Sequence, residues 1–432
     1  MSRDTTPAAF AARLRRSPIA FDAEAGRDAA RAFADLPPEV VGLLARTAGC
    51  SPYLKGLMAR EGDWLRGALA EAPEAVLADL LRAPEAMLEA GAEALGEALR
   101  TAKRRVALLA ALCDLGGVWE LEAVTGALTA LADRAVDLAM QAFVAEEIRR
   151  GKLPGAGIED AAIGAGMVAL AMGKMGAGEL NYSSDIDLIC LFDETRYGDA
   201  AQEARAAFIR VTRRMAALLS DLTAGGYVFR TDLRLRPDAA VTPVCISMAA
   251  AESYYESVGR TWERAAYIKA RPCGGDLAAG ARFLQALTPF VWRKHLDFAA
   301  IQDAHDMRLR IREHRQLNRP LTVEGHNMKL GQGGIREIEF FTQTRQLIAG
   351  GRDPDLRDRT TVGGLAALAA KGWIPGDVAD DLTDLYRAHR EVEHRLQMVG
   401  DAQTHDMPLS AEGVARIAAF CGQDEGAFRA GL

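Results

Sequence analysis

The sequence has 432 residues, enough for two or three domains with a sizeable core. Apolar residues make up 49% and charged residues 26%, which is typical of a globular chain and excludes a disordered one. A formal net charge of −7 argues against a nucleic-acid partner, because such proteins usually carry a basic stripe. No apolar run approaches the roughly 18 residues that span a bilayer, so we expect no membrane partner.

Residues 1–115 are rich in Ala, Leu, Glu and Arg and are interrupted by prolines. Breaks at Pro38, Pro52 and Pro73 predict short helices between them, and we interpret this region as a helical leader. A longer helix is predicted over residues 118–150, where apolar residues recur at helical spacing.

The pattern changes near residue 160, where short apolar runs and glycines replace the helical periodicity. The run 167–172 predicts a buried strand that ends at a glycine, and "DIDLICLF" (185–192) predicts a second strand. Between them lies the glycine-rich stretch "GKMGAGELN" (173–181). A helix is predicted over residues 200–224.

A third strand is predicted over "YVFRTDLRLR" (227–236), because apolar and polar residues alternate strictly there. The alternation places four polar residues on one face: Arg230, Asp232, Arg234 and Arg236. Pro237 is expected to end the strand.

Together these elements predict an α+β fold, in which a small mixed sheet is flanked by mostly helical N- and C-terminal regions. We assign the sheet to a catalytic domain over residues 116–280, with "PCGGD" (272–276) as its exit. Residues 281–432 are assigned to a helical domain. Within it, one buried seam is predicted from Leu385, Val392, Leu396 and Val399.

The acids of the second strand have no role in folding, and their spacing indicates metal chemistry. Residues i and i+2 of a strand share a face about 6.5–7 Å apart, so Asp185 and Asp187 can embrace divalent cations. Asp232 is the natural third ligand. Three close carboxylates repel one another, and Mg²⁺ or Mn²⁺, which prefer oxygen ligands, would reverse that cost. These acids are therefore both the catalytic and the metal-binding candidates.

The glycine-rich turn before them is predicted to cradle a phosphate. Gly173 and Gly176 let the backbone approach a ligand closely, and Lys174 could add a point charge. Each signal alone is weak, since "DPD" (353–355) also has the D-x-D spacing but reads as a turn and helix start. Their order along the chain favours a metal-dependent nucleotidyl or phosphoryl transferase over solvated surface acids.

Three features of the C-terminal region leave alternatives open. "GGIREIEF" (333–340) predicts a helix start, from which Glu339 and its neighbours either reach a nucleotide or form a structural ion-pair network. His394 and Gln397 are predicted to form interhelical hydrogen bonds. Six scattered cysteines suit a reducing compartment and hence a cytoplasmic protein, with Cys190 in the core.

Several blocks closely resemble the glutamine synthetase adenylyltransferase/adenylyl-removing enzyme family, whose bifunctional members attach AMP to glutamine synthetase and remove it. The resemblance covers about 160–410 and rests on the blocks "GKMGAGELNYSSDIDLICLF", "DLRLRPD", "GRTWERAAYIKARPCGGD", "NMKLGQGGIREIEFFTQ" and "REVEHRLQMVGDAQTHDMP". "ELN-x-SSDID" is similar to the form found in the N-terminal, adenylyl-removing half. The resemblance therefore implies that half, as part of a longer protein.

The resemblance also implies a reaction and its components. Inorganic phosphate attacks the AMP–tyrosine bond of adenylylated glutamine synthetase, and ADP is released. Asp185, Asp187 and Asp232 would hold Mg²⁺ or Mn²⁺, as two ions. The expected partner besides the substrate is the PII signalling protein in its uridylylated form. Further residues are expected to contact nucleotide or phosphate: Gly173, Lys174, Gly176, Ser183, Ser184, Arg234 and Arg236.

Three alternatives to this function stay open, and for two of the phosphate-binding residues a structural role is also open. The chain could be the ATP-dependent, adenylylating unit of the same family, a uridylyltransferase that acts on PII, or a catalytically silent module that docks PII. Arg234 and Arg236 could equally form ion pairs that complete the polar face of their strand.

Overall fold

A computed structural model describes residues 9–294 and 322–432. The chain is mostly helical with one small sheet, so the predicted α+β class is confirmed. Part of the predicted C-terminal helical domain, residues 295–321, lies outside the described residues. Over the described ranges, no helix has both the length and the apolar character needed to cross a membrane.

The N-terminal region is helical, as predicted. Three of its helices begin at Pro38, Pro52 and Pro73, because proline suits the first helical turn, where its missing N–H has no intrahelical partner. The helices are α1 (Ala23–Ala32), α2 (Pro38–Cys50), α3 (Pro52–Arg60), α4 (Gly62–Ala68), α5 (Pro73–Arg82), α6 (Ala92–Leu115) and α7 (Leu121–Arg149). Short 3-10 turns cover Phe10–Arg13, Ala83–Met87, Ile158–Gly166, Glu194–Arg196, Gly198–Ala200 and Pro354–Leu356.

Helices α6 and α7 pack directly against the sheet. Val106 of α6 and Met140 of α7 belong to the same buried core as Ala169 and Cys190 of the strands. The core is therefore continuous across the boundary predicted at residue 115, which stays a prediction. Cys190 is a buried core residue, as predicted.

The sheet has five strands in mixed orientation, which confirms the predicted small mixed sheet. They are β1 (Met167–Ala171), β2 (Ile186–Phe192), β3 (Thr231–Asp232), β4 (Cys245–Ser247) and β5 (Arg271–Gly275). The order is β3-β2-β1-β5. β1 pairs antiparallel with both β2 and β5, whereas β3 and β4 pair in parallel with β2.

The third predicted strand, 227–236, is wrong over most of its length, because only Thr231–Asp232 is extended and paired. Val228 and Phe229 are both buried, so the strict alternation is not realised. The side chain of Asp232 accepts a hydrogen bond from the amide of Arg234 (2.8 Å), which turns the chain out of the sheet. The chain returns to the same edge of β2 only at β4.

Most of the predicted domain exit at 272–276 lies in edge strand β5, and the domain boundary itself stays a prediction. Pro and Gly disfavour strands, but an edge strand tolerates a proline, whose missing N–H is not needed there. A register shift between Ala169 and Leu170 accommodates Pro272 opposite Leu170.

The remaining helices surround the sheet or form the C-terminal region. They are α8 (Gly173–Gly176), α9 (Ala201–Ser220), α10 (Met248–Ser257), α11 (Thr261–Tyr267), α12 (Leu277–Ala286), α13 (Thr288–Val291), α14 (Ile335–Ala349), α15 (Thr361–Ala370), α16 (Gly376–Met398), α17 (Ala411–Phe420) and α18 (Glu425–Gly431). The buried seam of α16 includes Val392 and Leu396 as predicted, but Leu385 is exposed and Tyr386 takes the buried position.

Candidate active site

Asp187 and Asp232 lie side by side on neighbouring strands. Parallel pairing of β2 with β3 makes their Cα atoms direct partners in register. Neighbouring strands are about 4.8 Å apart, so the third acid is next to the pair although 45 residues separate it from Asp187. Asp185 immediately precedes β2, two residues from Asp187. The structure therefore brings together the three acids that the sequence singled out.

The carboxylate form of Asp187 is disfavoured in this site. Its pKa is raised to about 6, chiefly by burial, then by the negative charge of Asp232 and less strongly by that of Asp185. The positive charges of Lys329 and Arg234 act in the opposite direction. A carboxyl group that shares its site with like charges is the arrangement that a bound cation relieves.

The other two acids are held by arginines. Asp185 accepts from Nε of Arg230 at 2.8 Å, and Arg230 also donates to the carbonyl of Ser183 at 2.6 Å. Asp232 accepts from Nε of Arg234 at 2.9 Å, and this contact lowers its pKa. Within the described ranges, no three His, Cys, Asp or Glu side chains are grouped as a ready metal site.

The surroundings nonetheless fit a divalent cation. All three acids offer oxygen donors, which Mg²⁺ and Mn²⁺ prefer. Space next to Asp187 depends on Gly173, where a Cβ atom would lie 2.8 Å from Oδ2 of Asp187. Gly173 also has φ +53°, a conformation that glycine adopts most readily. The backbone is thus shaped to leave this carboxylate oxygen accessible from the glycine turn.

The glycine turn is a single helical turn, α8, which joins β1 to the acid pair. The amides of Gly176 and Ala177 donate to the carbonyls of Met172 (2.9 Å) and Gly173 (3.1 Å). These two amides are therefore already hydrogen-bonded, and a phosphate at this turn would have to bind amides that precede Gly176. At Gly176 a Cβ atom would lie 2.1 Å from the carbonyl oxygen of Lys269. This glycine is required for packing against the chain before β5.

We expect Gly176→Ala to lower the free energy of unfolding by about 1–3 kcal/mol, because the methyl group would overlap two backbone carbonyls. Activity should fall with it, since the turn positions Asp187. Gly56→Ala is the matched control: it is exposed in the middle of α3 with no atom within 4 Å, so it should stabilise by about 0.5–1 kcal/mol. Equal urea-denaturation midpoints for the two variants would contradict this account.

The contacts of Lys174 and Ser183 favour supporting roles over direct phosphate binding. The ammonium of Lys174 lies 3.1 Å from Oε1 of Glu393 on α16. Burial lowers the pKa of Lys174, while Glu393 opposes that effect. Ser183 is buried, and its hydroxyl donates to the carbonyl of Asp401 at 3.0 Å. Ser184 is half-buried beside the acid pair.

Arg234 and Arg236 have different environments although both were predicted on one strand face. Arg234 is 84% exposed and pairs with Asp232, as the ion-pair alternative predicted. Arg236 instead donates to three backbone carbonyls of its own loop, those of Leu233, Ala239 and Thr242. These bonds stabilise the loop between β3 and β4, and they favour a structural role for Arg236.

Sequence reasoning missed a buried ion-pair network behind the glycine turn. Lys269 lies 3.1 Å from Glu179 and 2.8 Å from Glu339, and all three side chains are buried. Arg390 of α16 donates to the carbonyl of Glu179 and to the side chain of Asn181, both at 2.7 Å. The residues after the turn therefore attach it to the C-terminal helices. The one available signal was the position of Glu179 and Asn181 beside the glycines.

Other expectations for the C-terminal region are settled by these contacts. Glu339 belongs to the structural network, the second of its two alternatives. His394 contacts Asp114 of α6 at 3.3 Å, which confirms its predicted interhelical hydrogen bond. Gln397 instead accepts from the amide of Ser183, in the loop before β2, at 3.1 Å, so its bond is not interhelical. The second D-x-D forms a turn in which Asp353 accepts from the amide of Asp355, as predicted.

Comparisons with known proteins identify the family of the chain. A family model described as glutamate-ammonia ligase adenylyltransferase matches residues 41–286. A second model, described as GlnD PII-uridylyltransferase, matches residues 305–431. The first match contains the sheet, the glycine turn and all three acids.

Similar curated proteins carry the name bifunctional glutamine synthetase adenylyltransferase/adenylyl-removing enzyme. One from a Bradyrhizobium species is 51% identical over 88% of this chain and 39% of its own length. One from Rhodopseudomonas palustris is 48% identical over 92% of this chain and 40% of its own length. One from Xanthobacter autotrophicus is 47% identical over 97% of this chain and 44% of its own length. The chain spans about two fifths of the length of these relatives. On this evidence the chain belongs to the glutamate-ammonia ligase adenylyltransferase family, a family of nucleotidyltransferases.

Proposed function

We propose that the chain is an adenylyl-removing unit, which removes AMP from adenylylated glutamine synthetase by phosphorolysis and so reactivates it. The observation that carries the proposal is the pairing of Asp187 with Asp232 in register, beside a glycine turn that leaves Asp187 accessible. Acids in this arrangement suit the transfer of a phosphorus-containing group. The relatives' name supplies the substrate protein and the two opposite activities.

Asp185, Asp187 and Asp232 would hold Mg²⁺ or Mn²⁺, as two ions. When bound, such ions neutralise charge on the phosphodiester and its leaving oxygen. An oxygen of inorganic phosphate attacks the α-phosphorus of the AMP–tyrosine ester, and the new P–O bond gives ADP. The bond to the tyrosine oxygen breaks, and that oxygen takes the proton that phosphate loses. Arg234 is exposed and pairs with Asp232, and its guanidinium would be available to bind substrate oxygens beside the acids.

Removal rather than addition of AMP is supported by the "ELN-x-SSDID" form of residues 179–187, which resembles the removing unit. We further propose that PII, in its uridylylated form, is the regulatory partner. The match of residues 305–431 to a PII-uridylyltransferase model supports a relation to PII signalling.

The test is to incubate the chain with AMP-modified glutamine synthetase, phosphate and Mg²⁺ or Mn²⁺, and to follow ADP release. A parallel reaction supplies unmodified glutamine synthetase with labelled ATP. The proposal expects phosphate-dependent ADP in the first reaction and no label transfer in the second. Label transfer without ADP release would identify the adenylylating unit instead, and transfer of UMP from UTP to PII would identify a uridylyltransferase.

A further inference from the structure

One face of α16 lies along residues 174–183, which run from the glycine turn to the acid pair. Three residues form this face, at spacings of three and four that place them on one side of a helix: Arg390, Glu393 and Gln397. Each contacts a different point of the segment, in the same order: the carbonyl of Glu179 at 2.7 Å, the ammonium of Lys174 at 3.1 Å and the amide of Ser183 at 3.1 Å. The C-terminal region therefore supports the segment along most of its length.

Glu393 is the fully buried anion at the centre of this face. Its Oε1 lies 3.1 Å from the ammonium of Lys174 and 2.6 Å from Nδ1 of His405. Its Oε2 lies 3.2 Å from Nε of Arg390. Burial would raise the pKa of Glu393, but these three partners outweigh burial and hold its pKa well below the usual value. One carboxylate thus joins the glycine turn, α16 and the loop that follows α16.

Lys174 connects Glu393 to Asp187 through the backbone of the glycine turn. Lys174 follows Gly173, where a Cβ atom would lie 2.8 Å from Oδ2 of Asp187. On the other side of Gly173, the amide of Met172 donates to the carbonyl of Asp187 at 2.9 Å. A small shift of the turn would therefore change the space around this carboxylate oxygen.

We propose that Glu393 is a positioning residue: it holds Lys174, and through Lys174 the glycine turn, where Oδ2 of Asp187 stays accessible to a cation. The inference rests on the proposed function for the role of Asp187 as a metal ligand. In the part of the chain that the structure describes, Glu393 is the one carboxylate that pairs with Lys174. Without it, the ammonium of Lys174 would be buried beside Arg390 with no counter-charge, so it would move away and displace the turn.

The first measurement is amide hydrogen exchange on the metal-free chain, read by mass spectrometry over residues 172–187. Glu393→Gln should speed exchange in this range by about tenfold or more, because the turn loses the contact that holds it. Glu147→Gln is the matched control: it removes a buried carboxylate of α7 that pairs with Arg150 and lies 3.2 Å from Nε of Arg210. Exchange over 172–187 should be unchanged in the control.

The second measurement is Mn²⁺ affinity without nucleotide, at a temperature where each variant is folded. Glu393→Gln and Lys174→Met should each weaken Mn²⁺ binding by about fivefold or more, and the double variant no further than the weaker single one, because both changes act through one contact. The direction separates positioning from charge, since loss of a positive charge would by itself favour a cation. Lys174→Met leaves Glu393 paired with Arg390 and His405, so it replaces Glu393→Gln in both measurements if that variant does not fold.

Unchanged exchange over 172–187 in Glu393→Gln and Lys174→Met overturns the inference. Unchanged Mn²⁺ affinity in both variants, or losses that multiply in the double variant, also overturns it. If the wild type binds no Mn²⁺, the metal site of the proposed function fails, and the exchange result alone decides the inference. The two failures are distinguishable, because hydrogen exchange requires neither metal nor glutamine synthetase.

Discussion

We expect Asp187→Asn to abolish the proposed AMP removal, with a loss on the order of 10³-fold or more in kcat, while the chain remains folded. The amide keeps the size of the side chain but removes the charge that would hold a cation between β2 and β3. Asp355→Asn is the control, because Asp355 has the same D-x-D spacing in an exposed turn and pairs with Lys371. Phosphate-dependent ADP release from adenylylated glutamine synthetase is the measurement. Full activity of Asp187→Asn would instead favour a docking module without catalysis.

The same variant should be more stable than the wild type at neutral pH when metal is absent. Burial, followed by Asp232, raises the folded-state pKa of Asp187 from 3.8 to about 6. The protonated carboxyl therefore contributes stability that is complete below pH ~4 and is lost as the pH rises through about 6. Asp187→Asn avoids that loss, so its free energy of unfolding in EDTA should exceed the wild-type value by about 1–3 kcal/mol at pH 7. The difference should vanish near pH 4, and its persistence there would contradict the electrostatic cause.

Asp114→Asn should cause the largest loss of stability, about 3–5 kcal/mol in the free energy of unfolding. Asp114 lies in the last turn of α6 and is buried, and its two carboxylate oxygens each accept from Arg395 of α16 at 2.8 Å. Burial alone would raise its pKa, but Arg395 and His394 outweigh that effect and hold the pKa well below its usual value. Neutralising Asp114 leaves the guanidinium of Arg395 buried without a counter-charge. This contact fastens the C-terminal helices to the N-terminal ones.

Glu391→Gln is the control for that loss. Glu391 also pairs with an arginine, Arg16, at 3.2 Å, but both side chains are partly exposed, so its removal should cost at most about 1 kcal/mol. Urea denaturation of both variants at pH 7 makes the comparison. Similar midpoints would show that the buried pair contributes no more than the exposed one. The Asp114 contribution is present above the unfolded-state pKa and should be lost as the pH falls below ~4.

The parts of the fold that follow from local pattern could be predicted. Short apolar runs identified β1, whose run ends at a glycine, and β2, and prolines at first helical positions identified α2, α3 and α5. The acid trio could also be predicted, because two acids at strand spacing inside an apolar run have no packing role. The three acids come together because one further strand, β3, pairs with β2, and its two residues are enough to place Asp232 beside Asp187.

The predictions that failed concern regions whose structure depends on contacts between residues distant in sequence, or on hydrogen bonds from side chains to the backbone. Alternation over 227–236 predicts a long strand, but the bonds of Asp232 to Arg234 and of Arg236 to nearby carbonyls turn the chain away after β3. Strand β5 contains Pro272, and the low strand propensity of proline argues against a strand at that position. The network of Lys269 joins residues 90 and 70 positions away, so no spacing rule could find it. The contact of Lys174 with Glu393, 219 residues further along, was also beyond reach of local pattern, and phosphate binding by Lys174 stays a prediction.

Binding of Mn²⁺ in the presence of ADP tests most directly whether the three acids are one metal site. Loss of the free-ion paramagnetic resonance signal reports the bound ion without requiring turnover. Saturable binding is expected for the wild type and for Asp355→Asn, and it should be weakened at least tenfold in each of Asp185→Asn, Asp187→Asn and Asp232→Asn. Wild-type Mn²⁺ affinity in the three active-site variants would contradict the account.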